Sequence, residues 1–215
     1  MTDYAKPRLE MVERLTERYP GADPRILSAM EAVPRHRFVE RGLWHRAYSD
    51  CSLPIGKGQT LSQPSTVLLC LSALKIPDGG SLLEVGSGSG YLLAVASSVC
   101  GRAYGIERHL SLVHFSRNVL QKLSMHNVQV RFGDGGMGWM PQAPYDAVLY
   151  SAALPDLPRE TVQLLVEGGR IAAPVGGRER QAFAVWLRKQ DRLEREDGGF
   201  SCSFVPLVGS AGWDG

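Results

Sequence analysis

The chain has 215 residues, 44% hydrophobic and 21% charged, which is enough apolar material for a buried core in a single domain. A formal charge of +2 is too balanced to imply nucleic acid, no Lys/Arg cluster forms a stripe, and the densest cationic stretch, "RERQ" at 178–181, reads as a short solvated loop. The four cysteines (Cys51, Cys70, Cys100 and Cys202) form no CxxC and have no His at ligand spacing, which argues against a disulfide framework or a metal site and for a reduced cytosolic chain.

The N-terminal "MTDYAKPRLEMVERLTERYP" mixes acids and bases and is not expected to be a leader peptide. The longest apolar run, "VLLCLSALKI", is too short to cross a bilayer. Helical spacing predicts an amphipathic helix over 7–19 with Leu9, Val12 and Leu15 near one face. A second helix is expected to start at Asp23, a good N-cap, with Pro24 in the first helical position and Pro34 as the stop. Residues 40–62 then read as a long irregular region. Loops of that length in a compact domain are functional or disordered, and Trp44, Tyr48, Leu53 and Ile55 argue for order. Pro64 is placed to open the helix "STVLLCLSALK", which ends near "IPDGG".

From residue 81 the pattern changes. "SLLEV", "RAYGIE", "VQVRFGD", "YDAVLYSA" and "GRIAAPV" read as strands, separated by the helical patterns "YLLAVASSV", "SLVHFSRNVLQKLS" and "RETVQLLV". Strands alternating with helices imply parallel βαβ units. The tail from residue 178 reads as a β-hairpin at the end of the sheet, two β-rich runs flanking a polar, Gly-containing connection.

The chemistry concentrates where strands end. Gly86, Gly88 and Gly90 lie between a strand and a helix, where glycine allows a tight turn and close backbone approach to a ligand. The spacing is G-x-G-x-G, with Tyr91 where a dinucleotide fingerprint has its third glycine, and no Gly-Lys-Ser/Thr follows as in a phosphate loop. The pattern, with Glu84 in the preceding strand, suits S-adenosylmethionine, which has no phosphate. Glu107 ends the second strand about 20 residues on, where an acid can accept from ribose hydroxyls. "GDGG" at 133–136 ends the third, where Asp134 could accept from the adenine amino group.

The segments "VPRHRFV" (33–39), "AYSD" (47–50), "LPIGKGQTLSQP" (53–64), "LLEVGSGSGY" (82–91), "GIER" (105–108), "GDGGMGW" (133–139), "APYDAVLYSAA" (143–153), "EGGRIAAPVG" (167–176) and "FVPLVG" (204–209) resemble the protein-L-isoaspartate O-methyltransferase family. The resemblance runs from about Asp23 to Val208. It implies a class I S-adenosylmethionine-dependent methyltransferase: a doubly wound, mostly parallel, seven-stranded Rossmann-like sheet. It further implies N-terminal helices and a substrate loop over 1–78, a cofactor-binding core over 79–177 and a C-terminal hairpin over 178–215. The implied activity is methylation of the free α-carboxylate of L-isoaspartyl residues in damaged proteins, which begins repair through a succinimide. The resemblance puts Glu84, Gly86, Ser87, Gly88, Glu107, Arg108, Asp134 and Gly135 at the cofactor. It puts Thr60 and Ser62 beside the methyl and the substrate carboxylate, with Ser62 at the active-site position, and Gln59, Ser62 and Val205 at the substrate. Ser203 stands where many members carry Arg, and "LSALK" replaces a longer, more charged helix end.

The residue types suit that chemistry. An α-carboxylate has a pKa near 3.5 and is already ionised at neutral pH, so no general base is required. It needs neutral donors as it loses water, and "GQTLSQP" offers hydroxyls and amides without charge. On residue type alone Ser62 reads as the N-cap of the following helix, a role compatible with the other. Gln59 reads as bonding loop backbone, Asp50 as ordering the loop, and His36, Trp44 and Trp139 as structural. The expected protein is a cytosolic monomer with neither nucleic-acid nor membrane partner. Two rivals remain: an aspartyl O-methyltransferase acting on a dedicated peptide in natural-product biosynthesis, disfavoured by the short tail after "FVPL", and a noncatalytic cofactor-binding protein. A nicotinamide dehydrogenase is the weakest reading.

Overall fold

The structure, a computed structural model of the chain, describes residues 4–196 and 199–214. Helix α1 (Ala5–Arg18) buries Met11, Val12 and Leu15. Leu9, expected on that face, is 44% exposed. At 100° per residue it lies roughly 110° from the centre of the buried stripe, and Met11 takes its place. Helix α2 (Pro24–Ala32) starts as expected: Asp23 Oδ1 accepts the Arg25 N–H at 2.9 Å, and Pro24 occupies the first turn. The region 40–62 is ordered. It holds a 3-10 turn (Arg41–Arg46), which follows another at Arg35–Phe38, and a small antiparallel hairpin of β1 (Leu53–Gly56) and β2 (Gln59–Leu61). Helix α3 (Pro64–Leu74) follows.

The main sheet contains β3 (Ser81–Val85), β4 (Arg102–Glu107), β5 (Val128–Phe132), β6 (Tyr145–Tyr150), β7 (Leu165–Gly176), β8 (Gln181–Lys189), β9 (Arg192–Arg195) and β10 (Phe200–Cys202). Its order is β10-β8-β7-β6-β3-β4-β5, with β9 also on β8. Strands β3 to β7 are mutually parallel, and β8 to β10 are antiparallel additions. The sheet thus holds eight strands where seven are expected. Strands β9 and β10 lie end to end along one edge of β8, pairing with Trp186–Lys189 and Gln181–Phe183, so seven ribbon positions remain. The tail also departs from the expected hairpin. The polar run read as a connection is itself β9, because the chain reverses immediately after β8, at Gln190–Asp191.

Alternation along the parallel strands divides the core. Leu82, Ala103, Ala147 and Leu149 face a cluster joined by residues of α1, α2, α3, α4 (Tyr91–Ala96) and α5 (Leu110–Lys122). Leu83, Val85, Tyr104, Ile106, Val148 and Tyr150 face the other side, with Leu164 and Leu207. That side is covered by the 3-10 turn Arg159–Leu164, by Trp139 and Ala143 flanking a second turn (Met140–Gln142), and by the C-terminal segment. The helix expected at "RETVQLLV" is one of these turns, since Leu165 already pairs with Tyr145 as the start of β7. Among the described residues no helix is long and apolar enough to cross a membrane.

After β3 the chain builds outward through β4 and β5, then returns to the other side of β3 with β6. That reversal opens a crevice at the carboxyl ends of β3 and β6, the place where open α/β sheets bind ligands.

Candidate active site

The glycine loop turns off β3 into that crevice. Gly86, Gly88 and Gly90 have φ of +82°, +53° and +88°, in the left-handed region that favours glycine. The Gly86 and Ser87 N–H groups both donate to the Ile106 carbonyl, at 2.8 and 3.1 Å. A Cβ on Gly88 would come within 3.0 Å of Ile55 Cδ1, because the β1–β2 hairpin lies across the loop. Glu107, buried at the end of β4, clamps the loop: its Oε2 accepts the Gly88 N–H and its Oε1 the His109 N–H, both at 2.9 Å.

Two cavities meet here. One, of about 300 Å³, is lined by Val85, Gly86, Gly88, Ile106, Glu107, Arg108, Gly133 and Gly135 from the strand ends, by Ile55 and Gly58–Thr60 from the hairpin, and by Val205–Val208 from the tail. The other, of about 490 Å³, lies between the hairpin, the start of α3 and β10. Eight serine and threonine side chains line it (Ser52, Thr60, Ser62, Ser65, Thr66, Ser151, Ser201 and Ser203), and no charged side chain among the described residues does. Thr60, Ser151 and Val205 belong to both walls and mark the junction.

Beneath the junction is a small polar chamber of about 30 Å³, bordered by Thr60, Ser62, Glu84, Ser87, Ser89 and Ser151. Ser151 Oγ donates to Glu84 Oε1 at 2.6 Å. Glu84 Oε2, Ser87 Oγ and Ser89 Oγ are buried without a partner among the described residues. Burial pushes the Glu84 carboxyl up to about 8, the Ser151 hydrogen bond opposes the rise, and the Glu107 charge adds to it. Buried polar groups without partners are what a ligand or ordered water would satisfy.

The expected site residues are distributed over the two cavities and the chamber, with one outside them. Thr60 sits at the junction and Ser62 lines the larger cavity and the chamber, while Gly86, Gly88, Glu107, Arg108 and Gly135 line the smaller cavity. Gly135 is close-packed there: a Cβ would lie 2.6 Å from Val85 Cγ1. Glu84 and Ser87 border the chamber, and Val205 walls both cavities. Gln59 reaches the smaller cavity wall, but its amide donates to the Lys57 carbonyl at 3.1 Å. Asp134 stands apart from these walls. Its oxygens accept the Gly136 and Ser210 N–H groups, each at 2.8 Å, and those bonds hold its carboxyl below the usual range against desolvation.

The capping alternative for Ser62 does not hold: the N-cap of α3 is Gln63, and no side chain caps from that position. His36 is structural. It stacks on Tyr4, bonds the Tyr48 hydroxyl at 2.7 Å, and burial lowers its pKa to about 4. Sequence reading missed Ser151 and Ala152. Their signal is positional, since they follow the strand that flanks the topological switch.

The glycine cradle, the two buried acids and the unpartnered hydroxyls fit a cofactor that carries ribose and ammonium groups without phosphate. A family profile described as protein-L-isoaspartate(D-aspartate) O-methyltransferase matches residues 6–212. The chain belongs to that family. It is a carboxyl methyltransferase that uses S-adenosylmethionine and acts on isoaspartyl residues of damaged proteins, the first step of their repair. It is 41% identical, over the full length of both chains, to the protein-L-isoaspartate O-methyltransferase of Syntrophus aciditrophicus. It is 40% identical to that of Syntrophotalea carbinolica, covering 98% of this chain and 97% of the other. Two solved structures share the fold at 24% identity, each over 94% of this chain. A protein-L-isoaspartate O-methyltransferase has a TM-score of 0.83 with 66% of its own chain covered. A putative one from Plasmodium falciparum, in complex with S-adenosyl-L-homocysteine, has a TM-score of 0.78 with 98% covered.

Proposed function

We propose that the 490 Å³ cavity receives the isoaspartyl peptide, that the 300 Å³ cavity receives the cofactor, and that methyl transfer takes place where Thr60, Ser151 and Val205 join them. The observation that carries this reading is the hydroxyl-rich, uncharged wall meeting the glycine cradle. S-adenosylmethionine supplies an electrophilic methyl on a sulfonium. Passing that methyl to the substrate carboxylate would leave a neutral ester and a neutral thioether. Opposite charges cancel in this step, so a cationic side chain gripping the carboxylate would oppose it. Neutral hydroxyls satisfy the carboxylate while leaving it nucleophilic.

In this reading Ser62 and Thr60 orient the carboxylate, and Val205 shapes the wall beside it. Gln59 acts indirectly, by bracing the turn of the hairpin. Glu107 holds the Gly88 N–H and keeps acceptor capacity for ribose hydroxyls. Gly86 and Gly88 admit the cofactor's approach, Arg108 and Gly135 complete its wall, and Glu84 and Ser87 offer polar partners at the chamber. Asp134 contributes by pinning the 133–136 loop to the tail at Ser210. The chain works as one domain, a cytoplasmic monomer with no nucleic-acid partner, in keeping with its near-balanced charge.

The test compares methyl transfer to a synthetic isoaspartyl peptide and to its aspartyl counterpart. Transfer to the isoaspartyl peptide alone is expected. Equal rates, or none with either, would overturn the reading.

A further inference from the structure

The N-terminus of α3 is capped from a distance. The first N–H groups of a helix have no intrahelical acceptor. Gln63, the N-cap residue, spends its amide on Ser65 Oγ at 3.0 Å. The Ser65 N–H instead donates to Asp50 Oδ1 at 2.9 Å, across fifteen residues of sequence. The other Asp50 oxygen accepts from Arg18 Nη1 in the last turn of α1, at 3.3 Å. The loop that carries Asp50 is itself pinned. Arg35, fully buried, donates Nε to the Ala47 carbonyl at 2.8 Å, and its guanidinium lies over the Tyr91 ring at 4.9 Å. Tyr91 is the first residue of α4, directly after the glycine loop. Asp50 therefore links the cofactor-side scaffold to the start of α3. It lines neither cavity, so it does not touch the reacting groups.

We propose that Asp50 is a positioning residue for methyl transfer: by holding the Ser65 N–H it sets where α3 begins, and with it the placement of the Ser62 hydroxyl two residues before the helix. This rests on the role proposed above for Ser62.

The experiment uses the full chain carrying Asp50→Ala, Asp50→Asn (which keeps an acceptor oxygen) or Arg18→Ala. Three quantities are read: kcat on the isoaspartyl peptide, S-adenosylmethionine affinity by calorimetry, and hydrogen exchange at the Ser65 amide. Asp50→Ala is expected to lower kcat about tenfold through displacement of a positioned donor. Cofactor affinity stays within about twofold, and Ser65 exchanges faster because its cap is gone. Asp50→Asn recovers most of the turnover, and Arg18→Ala, which removes an exposed ion pair and a contact over the Tyr19 ring but leaves the Asp50–Ser65 bond, stays within about twofold of wild type. Unchanged kcat in Asp50→Ala, an Asn variant as impaired as Ala, or cofactor affinity falling in step with kcat would each overturn the proposal. If wild type turns over and Asp50→Ala matches it, only this inference falls. If wild type fails on the isoaspartyl peptide, the functional reading falls first and this inference with it.

Discussion

The two sides of the active site are built in different ways. On the proposed cofactor side the glycine cradle is local, although the hairpin and the tail complete the cavity around it. Gly86 to Gly90 turn between β3 and α4, and the acid that clamps them ends the very next strand. Its shape is mostly backbone, so its specificity lies in the absence of side chains. The substrate side is composite. Its wall gathers Tyr19, residues between Ser52 and Leu69, Ser151 and Phe200–Val205 from four separate parts of the chain, and it is rich in side-chain hydroxyls. A cradle made of backbone tolerates no added atoms, whereas a wall made of hydroxyls can lose one and still stand. The difference should be visible in how substitutions partition between cofactor binding and turnover.

Gly88→Val should have the largest effect. A β-branched residue at φ +53° is strained, and its Cβ meets Ile55 Cδ1. Cofactor affinity measured by calorimetry should fall roughly a hundredfold. Retained affinity would show that the cradle yields, and would break the contrast. Ser62→Ala comes next. Losing one hydrogen bond to a charged carboxylate should lower kcat by about 10–100-fold, with cofactor affinity within about twofold. Unchanged turnover would remove Ser62 from the reaction.

Ser151 belongs to both sides, so Ser151→Ala should blur the partition: about a tenfold loss of kcat together with a several-fold loss of cofactor affinity. A loss confined to one of the two would assign Ser151 to that side alone.

The last prediction is read in stability rather than in activity. The folded-state pKa of Glu84, about 8, lies above its ordinary 4.5, so between these values the native state holds a proton that the unfolded chain releases. Stability from this group is therefore present at the acid end and is lost as pH rises through that window. Urea unfolding from pH 5 to pH 8 should show this decline, and Glu84→Gln should flatten it. An equal slope in both proteins would mean that Glu84 is ionised throughout.

Much of the cofactor side was legible in the residue order, because its determinants are neighbours. Asp23 and Pro24 mark the start of α2, the glycine spacing marks the turn after β3, and Glu107 falls where the second parallel strand must end. The substrate side was legible only where the "GQTLSQP" block resembled a known family. Ser151 has no distinguishing neighbours; it matters because β6 returns beside β3. The cap of α3 could not be read from Ser62 or Gln63, since the acceptor comes from Asp50 on a loop that Arg35 holds. Strand β9 reads as a polar connection because an edge strand needs no apolar alternation to pair with β8.

Residue order was thus sufficient for the parallel sheet, the glycine turn and the two buried acids, because each depends on periodicity and on chemistry within a few residues. Tertiary structure decided the rest: which hydroxyls share a cavity, which acceptor caps α3, and that Ser62 lines the larger cavity without capping the helix. Those outcomes depend on contacts between segments far apart in the chain, and short-range propensity carries no information about them.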